Sequence, residues 1–272
     1  MSAESLLYGI NLAEVEIRLD LFYFSEEHDT SWFRTSFPDN IFLQLKKDSD
    51  VPDEYVSRYQ YKIEEHTVNN FQKYLFGSPT VWHRFFILAE MDYDLYLDGD
   101  LFFLRNQLFL DKVQEMLEND SWDKPLYLPV EKPYKDLIIY FRWFERFKHF
   151  PYYTTSMILI KDGGKTLISK FLNKLSTIHD HLKNYSIAAD QCYLNYFFIL
   201  LQNKYNGILD CNYGYLNHKD STLEEVGALH SRVEGPVKPF DLVHLMGDKI
   251  RWRRLEGMRK LRKELNPYLE LI

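Results

Sequence analysis

Two carboxylates separated by one glycine are the residues best suited to chemistry. Asp98 and Asp100 flank Gly99 directly after an apolar run at 94–97 that predicts a strand. If the strand continues, both carboxylates lie on one side, and Gly99 lets a ligand approach the backbone closely. Oxygen donors so placed suit Mg²⁺ or Mn²⁺ carrying a diphosphate. Asp-Gly-Asp is also common in solvated turns, but the flanking strand and the two phenylalanines that follow favour a ligand site at a strand end.

A second group of polar residues lies in an almost wholly apolar helical pattern at 187–201. Asp190 and Gln191 come near the start of this pattern, where free backbone N–H groups favour anions and anionic ligands. Asn195 lies further along, and it either satisfies backbone groups in the core or contacts a ligand. Asp190 and Gln191 are therefore candidates for binding.

A third candidate is a histidine near the end of a strand predicted at 241–245. His244 precedes Gly247, whose missing side chain would allow a phosphate to approach the backbone. A lone histidine is usually a structural polar group, whereas an imidazole beside two carboxylates suits Mn²⁺.

The elements that must position these residues alternate in type. Short apolar runs predict strands at 17–24, 94–97, 126–130, 156–160 and 241–245. Amphipathic or apolar segments between most of them predict helices at Thr80–Glu90, 165–176 and 187–201. Ser78 and Pro79 supply an N-cap and a first residue for the helix that leads to Asp98. The alternation predicts an α/β fold.

Composition limits the classes of partner. The 272 residues are 46% hydrophobic and carry a net charge of −7, so a large core is expected and the surface as a whole cannot bind polyanions. We expect no nucleic-acid partner. Two cysteines without zinc spacing indicate a reducing compartment, and no export signal is visible at the start. These features predict a cytoplasmic protein.

The last segment differs in charge from the rest. Eight of the residues at 249–263 are basic and only Glu256 is acidic, a local charge of +7. Apolar residues at helical spacing place these cations on an amphipathic helix. We therefore divide the chain into a catalytic domain at 1–248 and a basic helical tail at 249–272. The tail either neutralises an acidic body, or docks to anionic phosphates, or makes peripheral contact with a membrane.

Three motifs in order between 78 and 252 resemble those of a known family. They are Arg84-Phe85-Phe86-Ile87 with Leu95-Tyr96-Leu97-Asp98-Gly99-Asp100, Asp190-Gln191-Cys192-Tyr193-Leu194-Asn195, and His244-Leu245-Met246-Gly247-Asp248-Lys249-Ile250-Arg251-Trp252. Together they resemble GT-A nucleotide-sugar glycosyltransferases, particularly glycosyltransferase family 8, the glycogenin-like and lipopolysaccharide glucosyl- and galactosyltransferases. The resemblance implies a GT-A fold, an α/β architecture whose mixed, mostly parallel sheet is flanked by helices.

The resemblance also implies a role for each candidate. The metal ion, Mn²⁺ or Mg²⁺, would be held by Asp98, Asp100 and His244. The UDP-sugar donor would be contacted by Arg84, Gly247, Lys249 and Arg251, together with the metal ligands. Asp190 would hold sugar hydroxyls, and Gln191 would lie beside the anomeric carbon. The resemblance further implies that the anomeric configuration is retained. Since Gln191 is an amide and not a carboxylate nucleophile, retention would then favour attack by the acceptor on the same face of the sugar over a double displacement.

Two departures from the family pattern concern residues near the site. Thr154-Thr155-Ser156 stands where the family has Asn-x-Gly, and Lys249 comes one place early, with Arg251 at the family's proline position. The sequence leaves the acceptor open among a saccharide, a glycolipid and a protein. It also leaves open an inverting glycosyltransferase, a metal-dependent phosphoryl or nucleotidyl enzyme, and a catalytically silent module that binds sugar nucleotides.

Overall fold

The structure is a computed structural model, and nine ranges of the chain are described in it. They are residues 17–23, 41–47, 80–98, 101–103, 106–130, 150–182, 189–209, 213–217 and 242–246. The basic tail at 249–272 lies outside these ranges, so the division of the chain at residue 248 stays a prediction.

The described ranges contain five helices. They are α1 (Thr80–Glu90), α2 (Asn106–Glu118), α3 (Gly164–Asn173), α4 (Leu175–Leu182) and α5 (Ala189–Leu200). Helix α1 confirms the helix predicted at Thr80–Glu90, and α5 confirms the apolar helix that begins near Asp190. Ser78 and Pro79 lie outside the described residues, so their roles at the start of α1 stay predictions. The helix predicted at 165–176 is broken at Lys174, whose φ of −100° and ψ of 2° are not helical. Helix α2 has no counterpart among the predicted helices.

The same ranges contain nine strands. They are β1 (Ile17–Tyr23), β2 (Ile41–Lys47), β3 (Leu95–Leu97), β4 (Leu101–Phe103), β5 (Leu126–Leu128), β6 (Met157–Ile160), β7 (Asn206–Ile208), β8 (Tyr213–Asn217) and β9 (Leu242–Met246). All five predicted strands are confirmed, as β1, β3, β5, β6 and β9.

The strands form three sheets, with the orders β1-β2, β3-β6-β5-β7 and β4-β9-β8. Three of the described ladders are parallel and three are antiparallel. The mixed α/β architecture is therefore confirmed, but parallel ladders do not outnumber antiparallel ones among the described strands. The reason is that β6 lies inside its sheet and runs against both β3 and β5, so one reversed strand creates two antiparallel ladders.

The four-stranded sheet has apolar packing on both faces. Its strands alternate, so that Leu126, Leu128 and Ile158 pack in one buried cluster with residues of α1, α3 and α5. Tyr127 and Leu159 point the other way, into a second cluster that includes residues of α2. This period of two is the ordinary geometry of a strand buried on both faces. The sheet is thus covered by helices on both sides, and its strand ends are left to build a site.

Candidate functional site

Asp98 lies at the carboxyl end of β3, as the sequence predicts. Its backbone N–H donates to the carbonyl oxygen of Ser156 at 2.8 Å, which ties it to the residue before β6. Because β3 and β6 are antiparallel, the carboxyl end of β3 and the amino end of β6 meet at one place. The residues before Met157 therefore lie beside Asp98.

The strand does not continue from β3 into β4. Strand β3 pairs with β6, whereas β4 pairs with β9 in another sheet. The Leu101 N–H donates to the Asp98 carbonyl oxygen at 3.4 Å, a bond with the spacing of a β-turn. The condition under which Asp98 and Asp100 would lie on one side of a continuing strand is therefore not met, because β3 and β4 belong to different sheets. Gly99 and Asp100 themselves lie outside the described residues.

Arg84 connects two of the predicted carboxylates. From α1, its Nη1 lies 3.0 Å from Asp98 Oδ1 and its Nε lies 3.7 Å from Asp190 Oδ2. The three side chains are 13%, 19% and 15% exposed in the order Arg84, Asp98, Asp190. Residues from α1, the end of β3 and the start of α5 are thus brought together, although they are far apart in the sequence. They come from two of the three motifs.

Tyr96 belongs to the same cluster, although the sequence analysis assigned it no role. Its hydroxyl donates to Asp98 Oδ1 at 2.5 Å, and the Arg84 guanidinium lies 5.4 Å from the centre of its ring. The signal that could have found it is the period of two in a strand, which places Tyr96 on the same face as Asp98. The carboxylate of Asp98 is therefore held from two directions.

The electrostatics of the cluster keep both donors protonated. Burial alone lowers the pKa of Arg84, but the Asp98 and Asp190 carboxylates more than offset it and hold that pKa above its ordinary value. Burial, together with the neighbouring Asp98, raises the pKa of Tyr96 well above its ordinary value. At neutral pH the cluster thus contains one guanidinium and a neutral phenol facing the carboxylates.

The segment before β6 contacts the start of α5. The Thr155 hydroxyl donates to Asp190 Oδ2 at 3.0 Å, and the Thr155 N–H donates to Gln191 Oε1 at 3.3 Å. The Thr155 carbonyl oxygen accepts a hydrogen bond from Arg84 Nη1 at 3.0 Å. Gln191 thereby joins the cluster through this segment. Sequence reasoning identified the segment only as a departure from a family pattern and did not place Thr155 at the site.

Asn195 has the structural role that the sequence left open. Its Oδ1 accepts the Tyr153 N–H, and its Nδ2 donates to the Tyr153 carbonyl oxygen, both at 2.8 Å. The same Nδ2 donates to the Gln191 carbonyl oxygen at 2.8 Å. Asn195 is buried and satisfies backbone groups of the chain beside the site, so it fixes α5 against the segment that carries Thr155.

The strand that carries His244 pairs with β4, which begins at Leu101. In the β4–β9 ladder, Leu101 pairs directly with His244, and Asp100 is the residue that precedes Leu101 in the chain. Three of the predicted site residues, Gly247, Lys249 and Arg251, lie outside the described residues, as does Asp100. Their predicted roles stay predictions, as does the metal-binding role of the His244 side chain.

Two kinds of feature are absent from the described ranges. No group of three or more histidine, cysteine, aspartate or glutamate side chains within these ranges could hold a metal ion. No helix within them is long and apolar enough to cross a membrane.

The donor chemistry of Asp98 is compatible with a divalent cation. A carboxylate has about four lone-pair positions on its two oxygens. Tyr96 contacts only Oδ1, and the one described contact of Oδ2 is with Arg84 Nη1 at 3.3 Å. Oδ2 therefore keeps a position that Mg²⁺ or Mn²⁺ could occupy.

Comparisons with known proteins find similarity to solved structures. No family model matches the chain, and no curated protein matches it in sequence. Among solved structures, the chain is similar to the galactosyltransferase LgtC in complex with donor and acceptor sugar analogs. The two are 16% identical and superpose with a TM-score of 0.49 over 94% of this chain and 90% of that chain. A likeness of this size does not assign the chain to a family or an activity.

Proposed function

We propose that this chain is a metal-dependent glycosyltransferase that moves a hexose, glucose or galactose, from a UDP-sugar to a saccharide, lipid-linked or protein acceptor with retention of configuration. One observation carries the proposal: Arg84, Asp98 and Asp190 meet at one end of the sheet. These are residues to which the family resemblance gives roles in binding the donor. Two carboxylates around one guanidinium present acceptors and donors for sugar hydroxyls in a largely buried place. The resemblance of the three motifs supplies the reaction.

Asp190 is suited to bind a sugar hydroxyl. Both of its described contacts, with Thr155 and Arg84, go to Oδ2. Within the described residues Oδ1 has no hydrogen-bond or ion-pair partner, so it is the oxygen that would accept a hydroxyl proton of the donor. A hydrogen bond to a charged carboxylate is stronger than one between neutral groups and would orient the sugar ring.

The cation site is proposed at Asp98, Asp100 and His244. A divalent cation bound there would neutralise charge on the departing diphosphate. The pairing of Leu101 with His244 supports this ligand set, because it brings the strand of the histidine to the residue that follows Asp100. Lys249, and Arg251 with it, would add positive charge beside the same phosphates.

Gln191 is proposed to lie beside the anomeric carbon. The Thr155 N–H donates a hydrogen bond to Gln191 Oε1, so the oxygen end of the amide faces Thr155. An amide is a much weaker nucleophile than a carboxylate, so a covalent glycosyl intermediate on this residue is disfavoured. The acceptor would attack the face that the diphosphate leaves, and the leaving phosphate would take the acceptor proton.

A thermal-shift experiment on the full chain tests the metal and nucleotide roles. UDP at a hundred times its dissociation constant should stabilise the fold by about 2.7 kcal/mol. We expect this shift with Mn²⁺ and not with a chelator. Asp100→Asn should abolish it and His244→Ala should weaken it, whereas Asp92→Asn, which removes an exposed carboxylate paired with Lys165, should leave it unchanged. Equal stabilisation in the presence of a chelator would contradict the metal role.

Donor hydrolysis across a panel of nucleotide sugars tests the reaction. We expect release of UDP from UDP-glucose or UDP-galactose in the presence of Mn²⁺. If the chain binds nucleotide sugars but turns over no donor or acceptor, it is a catalytically silent module that binds sugar nucleotides and not an enzyme. If the chain binds none of the nucleotide sugars in the panel, the proposed function as a whole is overturned.

A further inference from the structure

We propose that Thr155 is a positioning residue of the site, whose hydroxyl orients the Asp190 carboxylate for the donor sugar. The inference rests on the proposed function and adds a residue that the motifs do not contain. It arises from the segment in which the sequence departs from the family pattern. That segment lies at the amino end of β6 and is buried.

Three predicted site residues meet at Thr155 through three different groups. Its hydroxyl donates to Asp190, its N–H donates to Gln191, and its carbonyl oxygen accepts from Arg84, at 3.0, 3.3 and 3.0 Å. Thr155 is only 4% exposed. Because two of these contacts are made by the backbone, only the contact with Asp190 depends on the residue type. The side-chain hydroxyl can therefore be tested separately from the rest of the segment.

The hydroxyl determines how the Asp190 carboxylate is turned. Its closest described contact is the one with Thr155, since Arg84 Nε lies further away, at 3.7 Å from the same Oδ2. A hydroxyl on Oδ2 leaves Oδ1 directed away from Thr155 and available to the sugar. Without the hydroxyl, the carboxylate is free to rotate towards Arg84, and a small misplacement of a binding group costs much in a reaction that depends on orientation.

The experiment compares Thr155→Val, which is nearly isosteric, with Thr155→Ser, which keeps the hydroxyl. Donor hydrolysis is followed in the full chain with UDP-glucose or UDP-galactose and Mn²⁺. We expect Thr155→Val to lower kcat/KM about 10- to 100-fold, the effect of losing one hydrogen bond to a charged group, and Thr155→Ser to restore most of it. Affinity for UDP alone should not change, because UDP has no sugar to contact Asp190.

Thr154→Val is the matched control on the same segment. Thr154 is 1% exposed, and its hydroxyl lies 3.0 Å from that of Ser156. Its described contacts include none with Arg84, Asp190 or Gln191. We expect a lower melting temperature for this variant but the kcat/KM of the parent. Thr155→Ala serves as a second hydroxyl-free variant if Thr155→Val does not fold.

A double-mutant cycle separates positioning from general stability. Calorimetry gives the affinity for UDP-glucose of Thr155→Val in the parent and in Asp190→Ala. We expect the valine to weaken binding in the parent and to have no further effect without the Asp190 carboxylate. An equal effect in both backgrounds, or parental kinetics of Thr155→Val, overturns the role of Thr155 alone. A parent chain that binds no nucleotide sugar overturns the proposed function and this role with it.

Discussion

Replacing Arg84 by methionine should destabilise the fold far more than removing the cation of an exposed ion pair with the same nitrogen–oxygen distance. Methionine is an unbranched, uncharged side chain of similar length, so it fills most of the space of the arginine. The negative charges of Asp98 and Asp190 then lie close together without a cation between them. Arg84→Met also removes the hydrogen bond to the Thr155 carbonyl oxygen. The perturbation thus acts on charge and hydrogen bonding and little on volume.

The magnitude follows from the geometry of the two ion pairs. Nitrogen and oxygen atoms are 3.0 Å apart towards Asp98 and 3.7 Å apart towards Asp190. At an effective dielectric constant of about 20, unit charges at such distances attract by roughly 5 kcal/mol per pair. Desolvation of three largely buried charges offsets much of this attraction. We therefore expect a net loss of about 3–5 kcal/mol, the usual range when one partner of a buried pair is removed.

The matched control is the ion pair between Lys165 and Asp92. Its nitrogen and oxygen atoms are also 3.0 Å apart, but the side chains are 41% and 93% exposed. In water-like surroundings such a pair contributes about 0.2–1 kcal/mol. Urea unfolding of Arg84→Met, Arg84→Lys and Lys165→Met at neutral pH measures all three losses. A loss for Arg84→Met no larger than that for Lys165→Met would refute the view that this cluster is a buried, mutually dependent unit.

Two further predictions concern the core. Burial raises the pKa of Tyr153 to about 12, so the unfolded chain loses this proton first and the free energy of unfolding falls as pH rises from about 10 to 12. When the pH is raised from 8 to 11, the free energy of unfolding measured in urea should therefore fall by about 1.4 kcal/mol less in Tyr153→Phe than in the parent. An equal fall in both proteins would contradict the raised pKa of Tyr153. Gly164→Ala places a Cβ 2.6 Å from both Ile160 Cγ2 and the Pro125 carbonyl oxygen. The overpacking should lower the free energy of unfolding by about 1–3 kcal/mol in spite of the better helix propensity of alanine. An unchanged urea midpoint would show that α3 can move away from Ile160 and Pro125 at no cost.

Periodicity predicted the elements that carry the site. Apolar residues at helical spacing placed α1, and the apolar run at 94–97 placed the strand that ends before Asp98. These signals are local, so one sequence suffices to read them. Helix α2 was missed although Phe109, Val113 and Met116 recur at helical spacing and are buried. The signal was present there and was not used.

The contacts within the site could not be predicted in the same way. Thr155 and Asp190 are separated by 35 positions, and Arg84 and Thr155 by 71. Which polar side chains meet across such distances depends on strand order and register, and periodicity does not determine either one. The reversal of β6 is the decisive feature, because nothing in its apolar sequence distinguishes a parallel strand from an antiparallel one.

That reversal explains the chemistry of the cluster. In a parallel sheet, ligands bind where the carboxyl ends of strands meet. Here the amino end of β6 lies beside the carboxyl end of β3, so a segment that can donate from an N–H and a hydroxyl enters a region of carboxylates. Thr155 uses that N–H for Gln191 and that hydroxyl for Asp190. The donors that hold the polar side chains at this sheet end are therefore supplied by the strand that breaks the parallel pattern.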